Sequence, residues 1–143
     1  MLLSKRTFIG LVLAGALALS ASAAFEKNNV YTEGQFTDVP NTEWYAAEVA
    51  SAFELGLMNG TGGGLFAPEG DVTVAEAITM ASRAAAINAG ETIDTSTGGE
   101  WYTPYVNYAV SKGFVADGQF DNFDRPAKRY EVAVIFEKAM PEG

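Results

Sequence analysis

The sequence of 143 residues contains no cysteine and no histidine. Without cysteine the fold cannot use disulfide bonds, so its stability has to come from packing and helix capping. Without histidine the chain lacks the commonest general base and the commonest zinc ligand. Paired carboxylates could still hydrolyse glycosides, but 18 acidic residues in a small protein form such pairs by chance. We therefore expect a protein that is not an enzyme and that holds no metal or cofactor.

Basic residues are also scarce, at nine in the whole chain. Two of them, Lys5 and Arg6, precede an apolar run over residues 8–19, and Ala21-Ser22-Ala23 fits an A-x-A cleavage site. This order predicts a secretory signal peptide over residues 1–23. The remainder would carry seven basic against 18 acidic residues, a net charge of −11. Such a charge argues against nucleic acid and against direct binding to anionic lipid, and it favours solubility outside the cell.

The chain contains an internal repeat. The segment EWYAAEVASAFELGLMNG, from Glu43, returns 57 residues later as EWYTPYVNYAVSKGFVAD, from Glu100, with six identical positions. Each copy has the pattern of a helix, a glycine-containing loop and a second helix. Such a unit cannot bury its apolar face alone, so two or more must stack. We expect an all-α fold of tandem helix–loop–helix repeats packed as a small bundle. Its predicted parts are a lead-in at 24–35, repeat 1 at 36–90, a linker at 91–99 and repeat 2 at 100–143.

Helix starts and ends are marked in both copies. Gly56 and Gly113 each stand where a helix would end in the left-handed conformation. Thr73 and Glu76 form a T-x-x-E capping box before the second helix. Thr103-Pro104 predicts a cap followed by a helix-starting proline. The apolar positions recur at helical spacing, and they are Ala46, Val49, Ala50, Phe53 and Leu57, then Val74, Ala77, Ile78, Ala81 and Ala85, then Tyr105, Val106, Ala109 and Val110, and finally Val132, Ile135, Phe136 and Ala139.

The order of these signals resembles the S-layer homology (SLH) domain. In the first copy the matching segments are FTDVP at 36–40, Trp44, GLMNG at 56–60, LFAP at 65–68 and TVAE at 73–76. In the second copy they are Trp101, GFVADG at 113–118, Phe120, Pro126 and KRYE at 128–131. The resemblance spans about residues 36–140.

The resemblance implies non-covalent anchoring of a secreted protein to the bacterial cell envelope through secondary cell-wall polysaccharide, which is often pyruvylated. The alternative is a structural protein of the surface layer that uses the same fold for protein–protein contacts without binding glycan. In the family three repeats commonly pack together, with ligand grooves between neighbours. Because only two repeats are recognisable here, we also expect self-association or docking to other SLH proteins.

The family pattern T-R-A-E has an arginine that helps to form these grooves, and this chain departs from it. The first copy has Val74 at that place, so Val74→Arg would be expected to add a second site. The second copy keeps Arg129 but has Lys128 and Tyr130 beside it. The resemblance therefore favours Arg129 and Lys128, with Arg125 nearby, as the anion-binding group of a glycan site.

Several of these residues have a second interpretation. Trp44 and Trp101 could stack on sugar rings, but their place at the start of a repeat helix favours a role as core anchors. Tyr102 could line a glycan groove or an interface between repeats. Arg129 could bind ligand or pair with a carboxylate such as Glu131 or Asp124. The carboxylates of Glu76 and Glu131 are explained most simply as helix-start residues.

Overall fold

The computed structural model describes residues 25–140, so the predicted signal peptide lies outside the described residues. Four helices follow one another along the chain: α1 (Ala46–Glu54), α2 (Val74–Ala89), α3 (Thr103–Lys112) and α4 (Arg129–Ala139). Over the described part of the chain, extended pairing is limited to two isolated bridges. The all-α prediction is confirmed. No helix between residues 25 and 140 is both long and apolar enough to span a bilayer.

Helix α1 belongs to a small apolar cluster of its own. Its buried residue is Val49, which packs with Phe36 and Val39 from the segment before the helix. The Phe36 ring lies between Phe53 and Phe66, with centroid distances of 5.7 and 5.3 Å. Gly56 follows the helix with φ of 73°, as its predicted place at the helix end requires.

Helix α2 begins with the predicted capping box. The Thr73 hydroxyl accepts from the Glu76 N–H at 3.2 Å, and the Glu76 carboxylate accepts from the Thr73 N–H at 2.8 Å. Two backbone donors that the helix leaves unpaired are thereby satisfied. The helix ends at Gly90, whose φ of 66° is left-handed.

The second copy has only some of these helix-capping features. Helix α3 has Tyr102 at its N-cap position, so the prediction that Thr103 caps it is wrong. Its end at Gly113, with φ of 82°, is as predicted. Helix α4 retains half of the capping box, because the Glu131 carboxylate accepts from the Lys128 N–H at 2.7 Å. The Lys128 ammonium has no acceptor with which to complete the box.

The central element is α2, which packs against both α3 and α4 of the second copy. The main core forms on its apolar face, where Val74, Ile78 and Ala81 meet Ala109 and Ile135. The two copies therefore bury one another, which is why neither would be a stable fold alone.

Hydrogen bonds between loops also join the copies at the start of α2. The N–H groups of Val74 and Ala75 donate to the carbonyls of Arg125 and Phe123, at 3.0 and 2.9 Å. The Ala127 N–H donates back to the Val72 carbonyl at 2.8 Å. The first turn of an isolated helix leaves such donors unpaired, so the loop of the second copy completes the helix of the first.

Candidate functional site

The predicted basic site lies at the first turn of α4. Lys128 and Arg129 are both exposed there. The Lys128 ammonium lies 5.9 Å from the centre of the Tyr130 ring, within reach of a cation–π contact. Two cations at the positive end of a helix are unfavourable for the helix itself. The same arrangement is favourable for an anion bound between them.

Arg125 faces inward from this site and pairs with Glu131. Its two terminal nitrogens donate to the two carboxylate oxygens at 2.9 and 2.7 Å, and Glu131 is buried. This bidentate pair, with the Lys128 N–H, lowers the pKa of Glu131 to about 2. Glu131 was one of two carboxylates proposed as a partner for Arg129, but its arginine partner is Arg125.

Arg125 also connects the basic site to a row of aromatic rings. Its guanidinium carbon lies 5.9 Å from the centre of the Phe120 ring. Phe120 contacts Phe123, and Phe123 stacks on the half-buried ring of Tyr102 at 5.1 Å with an interplanar angle of 24°. Tyr102 in turn meets the edge of Trp101 at 5.5 Å. Tyr102 therefore contacts both Phe123 and Trp101 within the second copy.

The interpretation of Trp44 and Trp101 as core anchors is wrong. Trp44 is 85% exposed and Trp101 is 55% exposed. Both precede the first residue of their helix, and each ring lies nearly perpendicular to that of the tyrosine that follows, at interplanar angles of 82° and 84°. The half-buried places at the helix start are taken by Tyr45 and Tyr102. Both indoles remain available to a ligand.

An open cleft of about 520 Å³ borders Trp101 but not Trp44. One wall is the loop that follows α1, and the other is the side of α2 that carries Thr79, Met80 and Arg83. Its volume is in the range of pockets that bind small ligands. The loop and the helix come from the first copy, and the second copy contributes Trp101 to the lining of the cleft.

The Arg83 side chain links α2 to the loop that follows α1 and to α3. One terminal nitrogen donates to the Leu57 carbonyl and the other to the Tyr105 hydroxyl, both at 3.2 Å. The guanidinium also lies 5.0 Å from the centre of the Tyr105 ring. Thr79, which is 4% exposed, has a buried hydroxyl with no hydrogen-bond partner among residues 25–140. A polar group of this kind usually has a partner.

Sequence reasoning missed the cleft because only Glu76 among its α2 residues belongs to a motif, and Glu76 was explained by helix capping. Arg83 and Thr79 sit inside the helix at spacings typical of any amphipathic helix. The loop that faces them contains the segments GLMNG and LFAP, which indicate the family but not a cleft. The one available signal was the basic residue on α2, since a lone Arg in the alanine-rich stretch 81–89 requires a partner across the fold.

The expectation that Val74→Arg adds a site is wrong for a structural reason. The Val74 side chain is fully buried in the main core, and its N–H is bonded to the Arg125 carbonyl. A guanidinium at this place would enter the core instead of a groove. The departure from T-R-A-E in the first copy is therefore explained by packing.

The comparisons with known proteins agree with the motifs. The family model of the S-layer homology domain matches residues 35–78. An S-layer protein of Bacillus thuringiensis subsp. finitimus and the S-layer protein sap of Bacillus anthracis are each 28% identical over 120 residues, covering 82% of this chain and 15% of each relative. The surface-layer 125 kDa protein of Lysinibacillus sphaericus is 29% identical over 114 residues, covering 73% of this chain and 10% of its own length.

These alignments are long enough to extend into both copies of the repeat. The chain spans 15% or less of the length of these curated relatives. No solved structure shows significant similarity to it.

Proposed function

We propose that this chain, whose residues 35–78 match the family model of the S-layer homology domain, attaches to the bacterial cell envelope by binding secondary cell-wall polysaccharide without a covalent bond. Relatives named as S-layer proteins support a place at the cell surface. The observation that carries the proposal is the open cleft between the two copies, with the exposed Trp101 at its edge.

The cleft suits a sugar ring. The exposed face of Trp101 offers an apolar platform for the C–H face of a pyranose. The walls supply apolar contact from Met80 together with the carboxylate of Asp71 as a hydrogen-bond acceptor. A polysaccharide thus gains both stacking and hydrogen bonding in the cleft.

The basic residues at the first turn of α4 would bind an anionic substituent of the polysaccharide. A chain with 18 acidic and nine basic residues repels an anionic polymer at long range. Binding then has to come from short, charge-assisted hydrogen bonds. Arg129 presents a planar pair of donors that matches a carboxylate, such as a pyruvyl group, in two-point fashion. Lys128 adds a second charge, and Arg125 positions this turn through Glu131.

The test is retention of the purified protein on cell-wall sacculi. We expect the protein to be retained on intact sacculi and to pass through sacculi from which the secondary polymer has been removed. Equal retention on both preparations would show that the polymer is not the ligand. Passage through both would favour the alternative, in which the fold serves protein–protein contacts within a surface layer.

Variants at one position then examine the anion contact. Arg129→Ala should abolish most of the retention, and Arg129→Lys should weaken it clearly, because an ammonium cannot make the two-point contact. Lys112→Ala is the matched control, since it removes the same charge from the exposed end of α3, where Lys112 pairs with Glu91. Retention unchanged in both Arg129 variants would remove Arg129 from the site.

A further inference from the structure

The repeat allows the surroundings of α2 and α4 to be compared position by position, with Glu76 aligned to Glu131. One face of α2 is buried, largely against the second copy. Its residues are at most 4% exposed, and they are Val74, Ala75, Ile78, Thr79 and Ser82. The corresponding residues of α4 are all exposed, and they are Arg129, Tyr130, Ala133, Val134 and Glu137.

The uncovered face of α4 includes apolar surface. Tyr130 is 64% exposed and Val134 is 41% exposed. Large side chains of this kind, lying together on one helix face, are typical of an interface. On the opposite side, Ile135 is buried in the main core with residues of α2, and Glu131 is buried against Arg125. Helix α4 therefore presents to solvent the same face that α2 presents to a following repeat.

The contact that covers α2 identifies the residues that would cover α4. Tyr105 of α3 lies against Arg83, with its hydroxyl accepting from the guanidinium at 3.2 Å. When the two copies are aligned, Arg83 on α2 matches Lys138 on α4, and Tyr105 on α3 matches Glu48 on α1. Both Glu48 and Lys138 are exposed. An α1 placed on α4 in this way would bring an acid against a base.

The charges of the two surfaces are complementary beyond this pair. Residues 36–72, which form α1 and its loop, contain six acidic residues and no lysine or arginine. The exposed side of α4 carries three basic residues, Lys128, Arg129 and Lys138, against one acidic residue, Glu137. We propose that α4 of one copy of this chain docks onto α1 and its loop in a second copy, with Glu48 facing Lys138 across the contact.

The two surfaces in this contact are different, so the association is head to tail. A contact of this type leaves one free surface at each end after two copies have joined, and it grows into open chains or closes as a ring. The docking surface of α4 also carries Lys128 and Arg129 of the candidate glycan site, so its test uses Glu48 and Lys138, which do not belong to that site, and is made without polysaccharide.

Sedimentation of the purified protein tests the proposal, from low micromolar to near-millimolar concentration and without polysaccharide. We expect the average mass to rise beyond that of a dimer. Lys138→Glu and Glu48→Lys should each weaken association at least about tenfold, because each variant places like charges opposite one another. The double variant, with both charges exchanged, should recover association. Neither side chain is buried, so the helical circular dichroism should remain unchanged.

Three outcomes would overturn the proposal: a wild-type protein that stays monomeric over the whole range, single variants that associate as the wild type does, or a double variant that fails to recover. Each of these results is separate from retention on sacculi, so the proposed function can stand or fall independently.

Discussion

The helices α2 and α4 begin with related motifs and lie in different surroundings. The start of α2 is completed by two carbonyls from the second copy, and Val74 is buried there. At the start of α4 the corresponding side chain, Arg129, is exposed. The comparison shows that a repeat motif specifies the helix start, whereas the neighbouring repeat decides which side chain that start can carry.

The largest difference should appear when the two side chains are exchanged. Val74→Arg places an unpaired guanidinium in the main core and should lower the free energy of unfolding by at least about 4 kcal/mol. Arg129→Val, at the matching exposed place, should change it by no more than about 0.5 kcal/mol. Urea denaturation measures the free energy of unfolding of both variants. A similar loss of stability in the two would show that the start of α2 is not buried by the second copy.

The two capping glutamates offer a smaller contrast. Glu131 is paired with Arg125, whereas Glu76 serves only the capping box at Thr73. Because hydrogen bonds to charged groups contribute more than neutral ones, Glu131→Gln should cost about 2 kcal/mol. Glu76→Gln keeps a side chain that can cap and should cost less. Equal costs in thermal denaturation would mean that the Arg125 pair adds nothing.

The same pair predicts a dependence on pH. The pKa of Glu131 is lowered in the fold from 4.5 to about 2, so the folded state favours the ionised carboxylate. Its contribution is fully present above about pH 4.5 and is lost as the pH falls towards 2. We expect the stability difference between the wild type and Glu131→Gln to shrink over this interval. A difference that stays constant down to pH 2 would contradict the pairing.

The smallest expected effect concerns the N-cap residues. Thr73→Ala removes the acceptor for the Glu76 N–H and should cost about 1 kcal/mol. Lys128→Ala removes no acceptor and should change stability by less than about 0.5 kcal/mol. An unchanged denaturation midpoint for Thr73→Ala would show that α2 starts elsewhere.

The features predicted correctly from the sequence are those with local causes. The capping box at Thr73 and the left-handed glycines Gly56 and Gly113 depend only on residues within one helix turn. The apolar spacing then implies helices that stack. These rules account for the four helices and for their association as a pair of repeats.

The features that were missed depend on contacts between distant residues. Trp44 and Trp101 are exposed because each precedes the first residue of its helix and because the tyrosine that follows it takes the half-buried position. Arg83 acquires its role only when Tyr105, from the other copy, is brought beside it. The burial of Val74 likewise requires the loop that carries Arg125. No local pattern contains this information.

The two tryptophans provide the most direct test of the claim that the cleft between the copies binds the wall polymer. They occupy matching places, but only Trp101 borders the cleft. Retention on intact sacculi should fall about tenfold in Trp101→Ala, because a stacking surface is lost. It should stay within about twofold of wild type in Trp44→Ala, which removes an equally large and more exposed ring. Equal losses in both variants, or a greater loss from Trp44→Ala, would contradict the assignment of the cleft.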